Sequence, residues 1–337
     1  MKKPVIAIPM GDPAGIGPEI VIRAMTAGQV TDCAACVVVG DAKVLEKALG
    51  YPNMPSVEIH KIGTPAEGRY EPGVLNLIDL ANVDMERLAV GEVSGMCGQA
   101  AYDYIAKAIE LAMSGAADAV STTPINKESL RAAGVPYIGH TEIFGALTGS
   151  YDPLTMFEVE NMRVFFLSRH LSLHKACDAV TKERIVECVQ RCAKELRRLG
   201  VPEGTIAVAG LNPHCGEHGL FGDEEVREVF PAVEQLKSMG VKVVGPVGAD
   251  SVFYQARQGR YSAVLSLYHD QGHIATKTVD FHRTISLTLG MPILRTSVDH
   301  GTAFDVAGQG VATSVSMEEA IRIAAKYAFD FTAANRG

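Results

Sequence analysis

The chain has 337 residues, 47% hydrophobic and 21% charged, with a net charge of −8 and a pI near 5.7. Such a length buries a large core and is expected to divide it between two domains. The acidic balance argues against nucleic-acid binding, no apolar run approaches the ~18 residues of a membrane span, the start Met1 to Pro9 lacks a signal h-region, and seven cysteines suit reduced thiols in a cytoplasm better than a disulfide framework.

Val5 to Pro9 reads as the first strand and runs into Met10-Gly11-Asp12-Pro13-Ala14-Gly15-Ile16-Gly17-Pro18-Glu19, a strand end leading to a helix with Pro18 at its start. The spacing is neither G-x-G-x-x-G nor a P-loop. Both an anion site on free N–H groups and a purely structural turn are therefore open. Ala35 to Val39 is the next strand. Cys33 and Cys36 lead into it without the partner pair that a structural zinc site needs.

A helix from Gln99 to Ser114 precedes a strand from Ala117 to Ser121. Gly139-His140-Thr141-Glu142 then opens another helix, where an imidazole and a hydroxyl beside free N–H groups would suit a phosphate or oxyanion. The strand Arg163 to Leu167 is followed by Ser168-Arg169-His170-Leu171-Ser172-Leu173-His174. His170 and His174 would share a face if this stretch were helical, though no Glu follows His170 as in H-E-x-x-H. From Thr181 to Leu199 an amphipathic helix carries Ile185, Cys188, Val189, Cys192, Leu196 and Leu199 on one face.

Thr205 to Ala209, Val241 to Val244 and Ala263 to Leu267 complete the strands, and Met317 to Phe331 is the last helix. Leu211-Asn212-Pro213-His214-Cys215-Gly216-Glu217-His218 follows the first of these strands, and Tyr268-His269-Asp270-Gln271-Gly272-His273 the last. Alternating strands and helices give an α/β fold with a mostly parallel sheet. In such sheets ligands bind beyond the strand ends, where three successive motifs each deliver a histidine: His170, His214 and His269. Three imidazoles meeting there would leave open positions on a borderline divalent metal. Lys277 and Arg295, the latter opening Arg295-Thr296-Ser297-Val298-Asp299-His300-Gly301-Thr302-Ala303, are charges suited to a phosphate or carboxylate.

These motifs, in this order and over nearly the whole chain, resemble the 4-hydroxythreonine-4-phosphate dehydrogenase family of vitamin B6 biosynthesis. The resemblance implies a homodimer of subunits with two α/β/α subdomains and a cleft between them, of the isocitrate/isopropylmalate dehydrogenase type. It places residues 1–125 with 290–337 in the first domain and 126–289 in the second. NAD or NADP and a divalent metal (zinc, magnesium, cobalt or manganese) are implied as cofactors. Matching the motifs makes His170, His214 and His269 the metal ligands. His140, Thr141, Lys277 and Arg295 match substrate contacts, and Asp250 matches an acidic position near the substrate. The nicotinamide pocket has no recognisable residues, because no G-x-G-x-x-G is present.

One departure bears on the substrate. Where the B6 enzymes place an Asn in a stretch like Asn-Ile-Thr-Leu-Gly, this chain has Ser286-Leu287-Thr288-Leu289-Gly290, and the approach from His273 to Thr284 lacks the family's Gly-rich, aromatic character. Both features resemble the branch that oxidises D-threonate 4-phosphate and D-erythronate 4-phosphate. Those acids carry a hydroxyl where hydroxythreonine phosphate carries an ammonium, so a changed polar contact is expected, with Ser286 counted among the substrate residues. Oxidation beta to the carboxylate followed by loss of carbon dioxide yields dihydroxyacetone phosphate, with Lys277, Asp250 or Asp270 relaying the proton. The alternatives are the B6 activity itself and a zinc-dependent aldolase or hydrolase of a phosphorylated metabolite.

Overall fold

The computed structural model describes residues 2–336. Twelve strands run in chain order as β1 (Val5–Pro9), β2 (Ala35–Gly40), β3 (Glu58–Lys61), β4 (Val74–Asp79), β5 (Ala119–Thr122), β6 (Leu154–Val159), β7 (Met162–Phe166), β8 (Ile206–Ala209), β9 (Val243–Val247), β10 (Ala263–Ser266), β11 (Ile285–Leu289) and β12 (Arg295–Ser297). The chain divides into two compact units, Met1–Pro153 with Met291–Gly337, and Leu154–Gly290. The first boundary thus falls after Pro153 and not after residue 125. The helices Lys127–Ala132 and His140–Thr148 pack on the long helix Gly95–Met113, which holds them in the first unit.

In the first unit the strand order is β3-β4-β2-β1-β5-β12, and every adjacent pair is parallel. β1 and β2 are buried on both faces, which is why they read as continuous apolar runs without alternation. The outermost strand, β3, is polar Glu-Ile-His-Lys, and β12 is three buried polar residues. Neither carries an apolar signal in the sequence.

The second unit has the order β11-β6-β7-β10-β8-β9. The β10–β7, β10–β8 and β8–β9 pairs are parallel, whereas β6 runs antiparallel to both β7 and β11. The sheet is therefore parallel throughout in the first unit, and in three of five pairs in the second. Alternate residues Phe157, Val159, Val164, Phe166, Ala207, Ala209 and Val264 form one face of this sheet, packed against Val252 and Ala256 of the helix Ala249–Arg257. Helix His269–Val279 contacts β6, β7 and β10. No helix among the described residues is long and apolar enough to cross a membrane.

Candidate functional site

The motif after β1 is a structural brace. Met10 to Glu19 is buried throughout, and its N–H groups are taken internally: Asp12 N–H donates to the Pro124 carbonyl, Gly15 N–H to that of Asp12 and Ile16 N–H to that of Thr302. A Cβ on Gly17 would stand 2.2 Å from the Met10 carbonyl oxygen, so glycine there serves close packing. The buried Glu19 carboxylate accepts from Gly308 N–H at 2.6 Å and Gly310 N–H at 3.0 Å. Of the two readings open for this motif, these bonds and its burial support the turn. Asp12 is sealed in the same brace, and burial pushes its carboxyl up to about 6 against the hydrogen bond from Ala14.

A second cluster in the first unit has the character of an anion receptor. Gly139 enters the helix His140–Thr148 in extended conformation without a side-chain cap, leaving first-turn N–H groups available. His140 is part-exposed as a residue, but its Nε2 is buried and has no hydrogen-bond partner. Burial, and secondarily the charge of Arg295, hold its pKa well below the usual imidazole value. One turn on, the ring of Phe144 lies 5.1 Å beneath the Arg295 guanidinium. Arg295 Nε and Nη2 both donate to Thr122 Oγ1, at 3.2 and 3.0 Å. The guanidinium is buried, and desolvation pulls its pKa down to about 9, against the favourable charge of Glu142. Thr141, the next residue of the helix, is likewise part-exposed. Thr122 carries no motif of its own and was not singled out in the sequence.

The second unit gathers imidazoles at its strand ends. In Tyr268-His269-Asp270-Gln271-Gly272 each residue has a distinct physical role. Asp270 Oδ1 lies 2.6 Å from His269 Nδ1 and fixes that ring. Gln271 accepts from Leu267 N–H at 2.7 Å and donates to the Gly210 carbonyl at 2.8 Å, tying the ends of β10 and β8 together. A Cβ on Gly272 would stand 2.5 Å from the Phe166 ring, so only glycine lets the helix approach. His269 and His170 have ring centroids 6.4 Å apart. His170 lies in the loop before the helix Leu173–Asp178, so it shares no helix face with His174, which pairs with Asp178. Ser172 caps that helix and ends the loop where it does.

His214 is presented differently. Residues 214–218 have left-handed backbone conformations throughout, which costs roughly 1–2 kcal/mol for each non-glycine residue. The buried Glu225 carboxylate anchors the entry to this turn, accepting from Leu211 and Asn212 N–H at 2.8 and 2.7 Å and from Asn212 Nδ2 at 2.8 Å. Its ring neighbour is Phe221, at 6.3 Å. Two imidazoles with a carboxylate behind one of them are the right donor chemistry for a borderline divalent ion. Among the described residues, however, no group of three or more His, Cys, Asp and Glu is arranged to hold a metal.

Lys277 lies two turns beyond His269 on the same helix, its Nζ 5.2 Å from the Phe281 ring centre. Asp250 is exposed in the first turn of its helix, where its charge acts on Cys215 beside His214. Ser286 is half-buried on β11, opposite Phe157 of β6. His273, quoted in the motif but given no role, stacks on His269 at 3.8 Å with 12° between the planes. Burial, then the neighbouring charges of His269 and Lys277, push its pKa down to about 3.

Comparison with known proteins agrees with this architecture. The family model described as pyridoxal phosphate biosynthetic protein PdxA matches residues 32–324. A Fusobacterium nucleatum protein named "Putative D-threonate 4-phosphate dehydrogenase" is 64% identical over 326 residues, covering 97% of this chain and 98% of its own length. A Clostridium botulinum protein of the same name is 60% identical over 330 residues, covering 98% of each. Among solved structures, a 4-hydroxythreonine-4-phosphate dehydrogenase from Klebsiella pneumoniae superposes with a TM-score of 0.91 at 43% identity, covering 97% of this chain and 98% of that one. The fold is the one these dehydrogenases share, of the isocitrate/isopropylmalate dehydrogenase type.

Proposed function

The chain belongs to the PdxA family and is a dehydrogenase acting on a CH–OH group, and we propose that it oxidises D-threonate 4-phosphate, or its epimer D-erythronate 4-phosphate, to dihydroxyacetone phosphate and carbon dioxide. The observation that carries this reading is the receptor built from Arg295, Thr122, Phe144 and His140. A buried guanidinium beside a neutral imidazole and the start of a helix is suited to a phosphate or carboxylate and little else. The names of the relatives at 60 and 64% identity supply the four-carbon acid.

In this reading Arg295, His140 and the Thr141 side chain hold an anionic end of the substrate, and Lys277 and Ser286 keep the substrate roles that the family motifs imply. Hydride leaves the carbon beta to the carboxylate for NAD or NADP, and the hydroxyl proton passes to a base. Asp270 is committed to His269 and Asp250 borders Cys215, so we assign that proton to Lys277. The ketone formed is beta to a carboxylate, and loss of carbon dioxide leaves an enolate that takes up one proton. A bound divalent metal, whether zinc, magnesium, cobalt or manganese, would supply Lewis acidity for the oxygens. Its assignment to His170, His214 and His269 rests on the family motifs.

A homodimer is part of the same proposal. Leu220, Phe221, Ile274 and Phe281 leave apolar surface exposed on the second unit, as an uncovered interface would. Light scattering is expected to report about twice 35.9 kDa; a monomer with full activity on dilution would remove the dimer from the account. A second substrate, 4-hydroxythreonine 4-phosphate, is favoured by the name of the Klebsiella pneumoniae structure. The deciding experiment is kcat/KM for all three acids with saturating NAD and a divalent metal. The sugar acids are expected to lead, and a tenfold or greater advantage for hydroxythreonine phosphate replaces this assignment with the B6 activity.

A further inference from the structure

Helix His269–Val279 carries His269, His273 and Lys277 at intervals of four, so their side chains form one stripe along its face. The outer two have proposed roles. His273 between them stacks on His269 at 3.8 Å, meets Phe157 edge-on at 4.4 Å and lies 4.8 Å from Phe166. Phe157 is directly opposite Ser286 across the antiparallel β6–β11 pair, and opposed residues project to the same face of the sheet. His269, Lys277 and Ser286, all tied by the family match to metal or substrate, thus lie within one side chain of His273. Its ring is half-buried and fixed by three aromatic neighbours, and it makes no side-chain hydrogen bond among the described residues.

We propose that His273 is a specificity-determining residue, donating a hydrogen bond from its imidazole N–H to the substrate hydroxyl on the carbon next to the carboxylate. The inference rests on the reading of the substrate as a phosphorylated sugar acid. That acid carries a hydroxyl at this carbon, and hydroxythreonine phosphate carries an ammonium. A hydroxyl oxygen has lone pairs to accept the bond; an ammonium has none. The groups whose charge bears on His273 are His269, Lys277 and Arg169 on one side and Asp270 on the other, a cationic balance. Such surroundings repel a further ammonium and accept a neutral hydroxyl, which is discrimination by an unfavourable contact as well as a favourable one.

The test measures kcat/KM for D-threonate 4-phosphate and 4-hydroxythreonine 4-phosphate, with NAD and a divalent metal, in the full chain and in His273→Phe and His273→Leu. The Phe variant keeps a ring against His269 and removes both nitrogens. Each variant is expected to lose about tenfold on threonate phosphate, the worth of one neutral hydrogen bond, and to lose nothing on hydroxythreonine phosphate. The metal content and melting temperature of the Phe variant should match the unmodified protein. Wild-type discrimination retained by the Phe variant, with the Leu variant losing metal and activity on both acids equally, would show that His273 only supports His269 and overturns the proposal. An unmodified enzyme that prefers hydroxythreonine phosphate overturns the substrate reading, and this inference with it. One that prefers threonate phosphate while the Phe variant keeps that preference overturns this inference alone.

Discussion

The two units carry their ionisable groups in opposite ways. In the first, His140, Arg295 and Asp12 are sunk in the protein, and burial is the leading cause of every shift among them. In the second, the His269 and Asp270 side chains are 40% and 71% exposed, His170 sits in a loop, and His214 rides on a left-handed turn held by Glu225. In the proposed reading the first unit's cluster is an anion receptor whose Arg295 is already held by Thr122 and Phe144, so little reorganisation is needed on binding. The second presents donors that no described neighbour brings into a cluster. The first unit's ionisable groups are thus shaped by burial, and the second unit's by exposure and local pairing.

If that division is right, the largest effect belongs to the second unit. His214→Ala or His269→Ala is expected to abolish turnover and metal retention while leaving the melting temperature close to that of the unmodified protein. Full activity in a strong chelator would break the comparison at once. Next comes the receptor: Arg295→Met should lower kcat/KM by about a hundredfold or more, as a charge-assisted contact does when lost, without changing metal content. Thr122→Val, which removes the hydroxyl that orients Arg295 and donates to the Thr296 carbonyl, should raise KM by about tenfold and leave kcat nearly unchanged. Equal losses in the two variants would contradict a positioning role for Thr122.

The smallest effect probes the burial itself. Asp12 is pushed up to about 6 from its usual value of 3.8 by desolvation, so the folded state favours its protonated form. Its contribution to stability is full below pH 3.8, and it is lost as pH rises through about 6. Asp12→Asn should therefore gain stability over the unmodified chain on going from pH 4 to pH 8, by at most ~3 kcal/mol. Urea unfolding at the two pH values measures this, and a difference that does not change with pH would mean the carboxylate is not desolvated.

The sequence exposed the second unit's chemistry better than the first's. His170, His214 and His269 stand out because each follows an apolar run, and strand ends are where such residues gather. The receptor was visible only through its histidine and arginine. Thr122 lies in an unremarkable Ser-Thr-Thr run, and β12, which delivers Arg295, has no apolar residue to announce a strand. The glycines after β1 left an anion loop and a structural turn both open, because glycine spacing reports backbone proximity alone; what approaches them is Met10, Thr123 and Thr302. His273 escaped notice for a similar reason, since its aromatic cage is assembled from β6 and β7, over a hundred residues earlier in the chain.

The central claim is an oxidation that ends in loss of carbon dioxide, and product balance tests it most directly. The full chain is incubated with D-threonate 4-phosphate, NAD and a divalent metal, and reduced nicotinamide, carbon dioxide and dihydroxyacetone phosphate are measured together. The account predicts that the three appear in equal amounts. Consumption of the phosphorylated acid with no reduced nicotinamide would contradict it, and would leave a hydrolase or aldolase in its place.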